Sequence, residues 1–473
     1  MTFLKCLGIA LLAVLLAGSG DRVRLPEEPD VTAPGKNLPQ SIQPFSPNDV
    51  SLLFPAPTKA EDFATLIAVR DLATTDSQDP AKHELVWPIP VFQRFLEIAD
   101  GPAGQVSAQA RIMLPAEVRT LDAWFVAGVR IDAGAPGLSD DIRTQFGQLP
   151  EIRLIVQPVT RNPDGTPKVH DIAGHLIFDF TLPPSPPPQA GCLPRRLADV
   201  EAFNLILRDA DALRTKLSSG QLGKNKVTTS NSPLGIHPGL ADPTTAKNFR
   251  DEIKRFLEKH LSAQRLDGMA VTGLPEAAPA PWIFLSMAEV PPGFDPSLPN
   301  GGFTAIHSPT LDGQQFSQML GPGGSVPRVL PAPHTNNLNP ITCASAASPL
   351  SVPVANRRGV STSDLFASPP PAADKTKEIT DLIADPSRSH FFNTDCVSCH
   401  TETRRAMDLL KVKEIPGIDS GALPNGAWNV RNFGWSPAGA RPQATVTRRA
   451  AAETAAVVEY INTKVIPNLQ RNP

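Results

Sequence analysis

Two cysteines three positions apart, with a histidine directly after the second, are the residues of this chain best equipped for chemistry: Cys396-Val397-Ser398-Cys399-His400. Thiols at that spacing can each form a thioether with one vinyl group of a haem, and the adjoining imidazole then takes the iron from one side of the ring. A structural zinc site would need a second pair of cysteines or histidines close by, and none follows the motif. The motif therefore predicts one covalently bound haem c, with Cys396 and Cys399 as its attachment points and His400 as its proximal ligand.

Three helices must frame this motif. Asp374 can begin one, with Ile379, Leu382 and Ile383 on one face and Pro386 as its stop. The motif's histidine opens a second, over Thr401 to Lys411. Thr447 can cap a third, whose Thr454, Val457, Val458, Ile461 and Val465 share a face before Pro467 ends it. Helix, attachment motif, loops and an amphipathic last helix carrying Tyr460 together resemble a small monohaem c-type cytochrome. The resemblance covers residues 373–473 and implies an all-α, cytochrome c-like domain.

The resemblance also implies a distal methionine from a loop well after the motif, and no methionine or histidine follows Met407. Met407 itself lies seven residues past His400, on the proximal side. The other candidates are His390, just before the motif, and His307, Met319 and His334 further upstream; an open or water-bound iron is the remaining reading. Where the distal loop should fall stands Trp428-Asn429-Val430-Arg431-Asn432-Phe433-Gly434-Trp435. Trp428 and Trp435 could pack on the macrocycle, and Arg431 could hydrogen-bond a propionate or a distal water. They could equally just wall a dry pocket.

The chain's 473 residues leave a large part to explain, and its formal net charge of −3 comes with no Lys/Arg block, which argues against nucleic acid as a partner. Its 52 prolines point to extended connections. Residues 1–19 have the layout of a bacterial export signal, with Lys5 before an apolar run and small residues after it. Export places the protein in the periplasm or outside the cell, with a membrane tie only through an uncleaved signal. Of the 5 cysteines, Cys6 leaves with such a signal, which makes Cys192 and Cys343 an even pair, either bridged or two buried thiols.

Residues 20–45 read as a tether. From 46 to 182 the segments read as a β-rich, sandwich-like domain: Trp124 to Ile131 is an apolar run, Ile152, Leu154 and Val156 alternate with Glu151, Arg153 and Ile155, and Asn162-Pro163-Asp164-Gly165 turns the chain back through Leu176, Phe178 and Phe180. His170 and His175 flank this return strand, and alternation puts His175 on the solvent side. A Pro-rich connector closes the domain. Residues 191–290 read as an α+β region: one helical stripe runs from Leu197 and Val200 to Leu217, a second runs from Phe249 to Leu261 behind an Asp242-Pro243 cap, and a strand pair follows at Met269–Gly273 and Trp282–Met287. Residues 291–372 are Pro/Gly-rich and without periodicity.

Three functions fit. One is an electron carrier whose N-terminal domains dock a redox partner protein. Another is a haem enzyme with an open axial position, peroxidase-like in its chemistry. The third is a ligand-binding or assembly module bearing a haem domain. No nucleotide loop, metalloprotease motif or nucleophile elbow occurs between residues 20 and 370.

Overall fold

The computed structural model describes residues 42–74, 83–100, 112–133, 150–182, 197–274, 283–290, 298–306, 317–319, 328–330, 369–389, 396–426, 429–437 and 441–471, besides residues 292 and 365. The expected signal at 1–19, most of the tether, and Cys192, Cys343, His307, His334, His390 and Trp428 lie outside the described residues.

Among the described residues, ten strands build one antiparallel sheet in a mixed α+β fold. They are β1 (Ser51–Leu53), β2 (Trp124–Asp132), β3 (Glu151–Arg161), β4 (Pro167–Val169), β5 (Ile172–Asp179), β8 (Leu266–Gly273), β9 (Ile283–Val290), β10 (Gly302–Ile306), β11 (Ser317–Met319) and β12 (Arg328–Leu330). Their order is β1-β2-β3-β5-β8-β9-β11-β12, with β4 on β3 and β10 on β9. Two short strands, β6 (Thr181–Leu182) and β7 (Leu197–Ala198), pair with each other, as do β13 (Phe433–Ser436) and β14 (Gln443–Val446).

Two expectations change here. The sandwich-like and middle regions share a sheet, because β5 pairs directly with β8 from Ile172↔Gly273 to Leu176↔Met269. The Pro-rich connector interrupts the chain without dividing the sheet. The segment expected to be irregular also contributes β10, β11 and β12, strands of three to five residues too short for a periodic signal. The expected Met269–Gly273 and Trp282–Met287 pair is present as β8 and β9, with Val271 opposite Leu285; Trp282 lies outside the described residues. At Asn162–Gly165 the turn closes as read, Gly165 taking a φ of +84° that glycine alone adopts without penalty.

The two faces of the sheet are covered differently. On one face Val129, Ile131, Leu154 and Val156 are buried. Two helices help cover it, α2 (Val200–Ser219) and α3 (Ala246–His260), following α1 (Ile89–Asp100) in chain order. Asp199 caps α2 by accepting from the Ala202 N–H at 3.0 Å, so Leu197 and Val200 are not part of its buried stripe; both are exposed. Phe203, Ile206, Ala210 and Leu217 on α2, with Phe249, Ile253 and Leu257 on α3, close that face, the Phe, Ile and Leu side chains each contributing about 1.5–3 kcal/mol of apolar burial. The start of α3 is also later than Asp242-Pro243 suggests. The Asp242 carboxylate accepts from the Thr244 and Thr245 N–H groups in a turn, and the helix begins at Ala246.

The opposite face carries Arg130, Arg153, Gln157, His175 and Thr272, and the C-terminal segment lies on it. Arg130 pairs with Glu453 at 2.8 Å, Ser51 bonds Thr454 at 2.8 Å, and the Trp435 indole N–H donates to Phe54 O at 2.9 Å. That segment contains α4 (Ala373–Ala384), α5 (Cys396–Leu410), the β13–β14 hairpin and α6 (Arg448–Tyr460). It is therefore not all-α. After α6 the chain takes one π-helical turn, Ile461–Val465, and continues helically to Arg471. Pro467 does not end the helix as expected. The wider turn, in which Ile466 N–H reaches back to Ile461 O, absorbs the clash and lost donor that proline brings to a regular helix.

His237 offers a test of this packing away from the motif. Its side chain is 2 % exposed, stacks on Phe249 at 4.6 Å, and accepts the Gly239 N–H at Nδ1. Burial lowers its pKa to about 4, against about 6.5 for an unfolded histidine. Between those values the unfolded chain binds the extra proton. The stability this group contributes is thus complete above pH 6.5 and is lost as pH falls towards 4, with a slope of up to about 1.4 kcal/mol per pH unit. Urea unfolding at pH 7, 6 and 5 should show a shallower slope for His237→Asn, which keeps an acceptor but has no proton to gain; an unchanged slope contradicts the assignment.

Candidate functional site

Helix α5 begins at Cys396, a full turn earlier than expected from Thr401, and so carries the whole motif. Cys396, Cys399 and His400 are positions i, i+3 and i+4 of that helix, the spacing of neighbouring positions on a helix surface. Cys399 is partly exposed. The rest of α5 is anchored inward: Thr401, Glu402, Thr403 and Ala406 are buried, and Thr403 Oγ1 accepts the Arg448 N–H at 2.8 Å, tying α5 to the start of α6. Burial raises the Glu402 carboxyl to about 7, two residues from His400.

His400 is oriented from both sides. Its Nδ1 donates to Val430 O at 2.9 Å, and its ring meets Phe284 of β9 at 4.8 Å between centroids, tilted 53°. The bond at Nδ1 fixes the tautomer and leaves the Nε2 lone pair free for a metal, the usual second-sphere arrangement of a ligating histidine. Burial lowers the imidazole's pKa to about 4, keeping it neutral and able to ligate at physiological pH.

Arg431 follows Val430 and is 3 % exposed. Its Nε donates to Trp435 O at 3.1 Å and one terminal nitrogen to Asp171 at 2.6 Å, while the other, Nη1, is buried with no hydrogen-bond partner among the described residues. Thr272 Oγ1 on β8 is likewise buried and without a partner among the described residues, and Thr272 stands opposite Phe284 in the sheet register. Buried donors left without a partner cost about 1–3 kcal/mol each, so the surroundings of His400 are built for something that accepts hydrogen bonds. Haem fits: its carboxylate groups suit a guanidinium nitrogen, its iron suits a neutral Nε2, and its vinyl groups suit the thiols of α5.

Protein-family models, curated proteins and solved structures were all compared with the chain, and none matches.

The remaining residues singled out in the sequence are placed as follows. Trp435 is fully buried; its indole donates to Phe54 O next to β1 and its backbone O accepts from Arg431 Nε, so that it anchors the hairpin. Met407 lies on α5 with the motif and packs against the hydrophobic core. Met319 pairs with Ile283, one position from Phe284. His175, expected to face solvent, is half-buried on the face that the C-terminal segment occupies. Burial and the neighbouring His400 lower its pKa to about 3. Alternation marked its face of the strand correctly, but it carries no information about what covers that face. Nothing in the sequence signalled Thr272 or the Val430 carbonyl.

Proposed function

We propose that the chain is an exported c-type haem protein that carries electrons, with one haem held by Cys396, Cys399 and His400. The observation that carries this reading is the bond from His400 Nδ1 to Val430 O, which leaves Nε2 bare on a neutral imidazole one position after the second thiol. Haem bound there supplies a one-electron ferric/ferrous couple. The protein's residues do the rest. The thiols fix the macrocycle to α5, Val430 holds the imidazole in one tautomer, and Arg431, itself set by Asp171 and Trp435, offers Nη1 to an anionic group of the ring. Export would rest on residues 1–19, and the redox partner would be a protein docking on the folded surface. No helix among the described residues is long and apolar enough to cross a membrane.

Expression in a host with haem-attachment machinery tests the reading. The purified protein should hold one haem per chain, keep it through a denaturing gel, and cycle reversibly between two oxidation states with a one-electron mediator. A chain that emerges without haem overturns the reading. Turnover of peroxide with saturable kinetics shifts it to the peroxidase-like alternative.

A further inference from the structure

We propose that His175 of β5 supplies the second protein ligand to the iron held by His400, so that the metal sits between helix α5 and the sheet. This rests on the haem reading above and extends it to the ligand that the motif does not specify.

The sheet register carries the argument. Phe284, against which the His400 ring rests, stands opposite Thr272, and Thr272 stands opposite Ala173. His175 is two residues beyond Ala173 on the same strand and therefore on the same face, opposite Ala270. Strand spacing puts the His175 backbone roughly 10 Å across and about 7 Å along from Phe284. The positions in between, Ala173, Ala270 and Thr272, carry small side chains. An imidazole rising from β5 thus looks over a low floor towards the space in which His400 and Arg431 lie.

The chemistry of the two rings agrees with this. The His175 ring makes no hydrogen bond among the described residues, unlike His170, His237, His260 and His400, whose rings all bond a protein atom. Two imidazole nitrogens give a low-spin iron with both axial positions filled, which reorganises little between oxidation states and suits electron transfer. A strand would then provide the second ligand to a haem attached on a helix far along the chain. That accounts for the absence of any methionine or histidine after Met407.

The test is the optical spectrum of the purified holoprotein, ferric and ferrous, with and without carbon monoxide, for the wild type, His175→Ala and His175→Met. Haem staining on a denaturing gel is read in parallel. The wild type should be low-spin and unreactive to carbon monoxide. His175→Ala should keep its covalent haem, turn high-spin and bind carbon monoxide, and should regain a low-spin spectrum on adding imidazole. His175→Met, which restores a ligand, should be low-spin without any addition. Should His175→Ala stain for haem yet remain low-spin and unreactive to carbon monoxide, another residue is the ligand and the proposal fails. A wild type that stains but is high-spin overturns it equally. Absence of stain in the wild type overturns the haem reading itself, so the two failures are told apart.

Discussion

Replacing Cys396 and Cys399 together by alanine should abolish covalently bound haem. Each thiol can form one thioether, and with both removed only the His400 coordination bond would remain, which does not survive denaturation on a gel. The expected result is a complete loss of haem stain for the double variant, with stain retained in part by each single variant through its remaining bond. The protein should still fold. Helix α5 is held by buried Thr401, Thr403 and Ala406 and by the bond between Thr403 and Arg448, and none of these involves the thiols. A far-UV circular dichroism spectrum close to wild type therefore accompanies the lost stain. Stain that survives the double substitution would sink the central reading of the motif.

The second large effect is expected at Gly434, on the strand that seats the C-terminal hairpin. Its φ of +146° belongs to a backbone region open essentially to glycine alone, and a Cβ added there would stand 2.8 Å from Gln157 Oε1. That oxygen cannot simply move. Gln157 is fully buried, accepts the Trp435 N–H at Oε1 and donates from Nε2 to Trp435 O at 2.8 Å, a two-bond clasp between β3 and β13. Gly434→Val adds about 1–3 kcal/mol of backbone strain to about 1–3 kcal/mol for each polar group left without its partner. A loss of about 3–5 kcal/mol in urea unfolding is expected, and a change under about 1 kcal/mol contradicts the role assigned to the clasp. Because Arg431 Nε also bonds Trp435 O, the same substitution should disturb the haem spectrum of the folded protein, a readout that plain destabilisation elsewhere would not share.

Much of the local structure was legible in the chain, because local structure follows from local chemistry. The stripes Phe203 to Leu217 and Phe249 to Leu257 gave two helices, and Asn162-Pro163-Asp164-Gly165 gave its turn. What stayed hidden depends on residues far apart in sequence. Alternation along β5 sorts its side chains into two faces, but nothing in residues 172–179 says that the next strand over is 266–273, or that α5 and the β13–β14 hairpin lie on the polar face. His175 is the clearest instance: the pattern that told its side of the strand correctly also suggested solvent, since covered polar faces and wet ones look alike in sequence. At Pro467 a local rule failed for a local reason, since a π-helical turn lets proline follow without ending the helix.

The bonding of the chain's two ends has a kinetic consequence. Phe45 and Asn462 exchange hydrogen bonds across 417 positions, and Ser51 meets Thr454 across 403. Contacts so distant make folding slow, because loop closure must precede any gain from them. A chain that emerges with its N-terminus first can form β1, β2 and β3 early, but their polar face stays open until the last helix arrives. During that interval Arg130 waits for Glu453 and Ser51 for Thr454. On the proposed haem reading, the late arrival of α6 sets the time available for joining a large planar ring to Cys396 and Cys399 before Glu453 and Thr454 complete their bonds to the sheet.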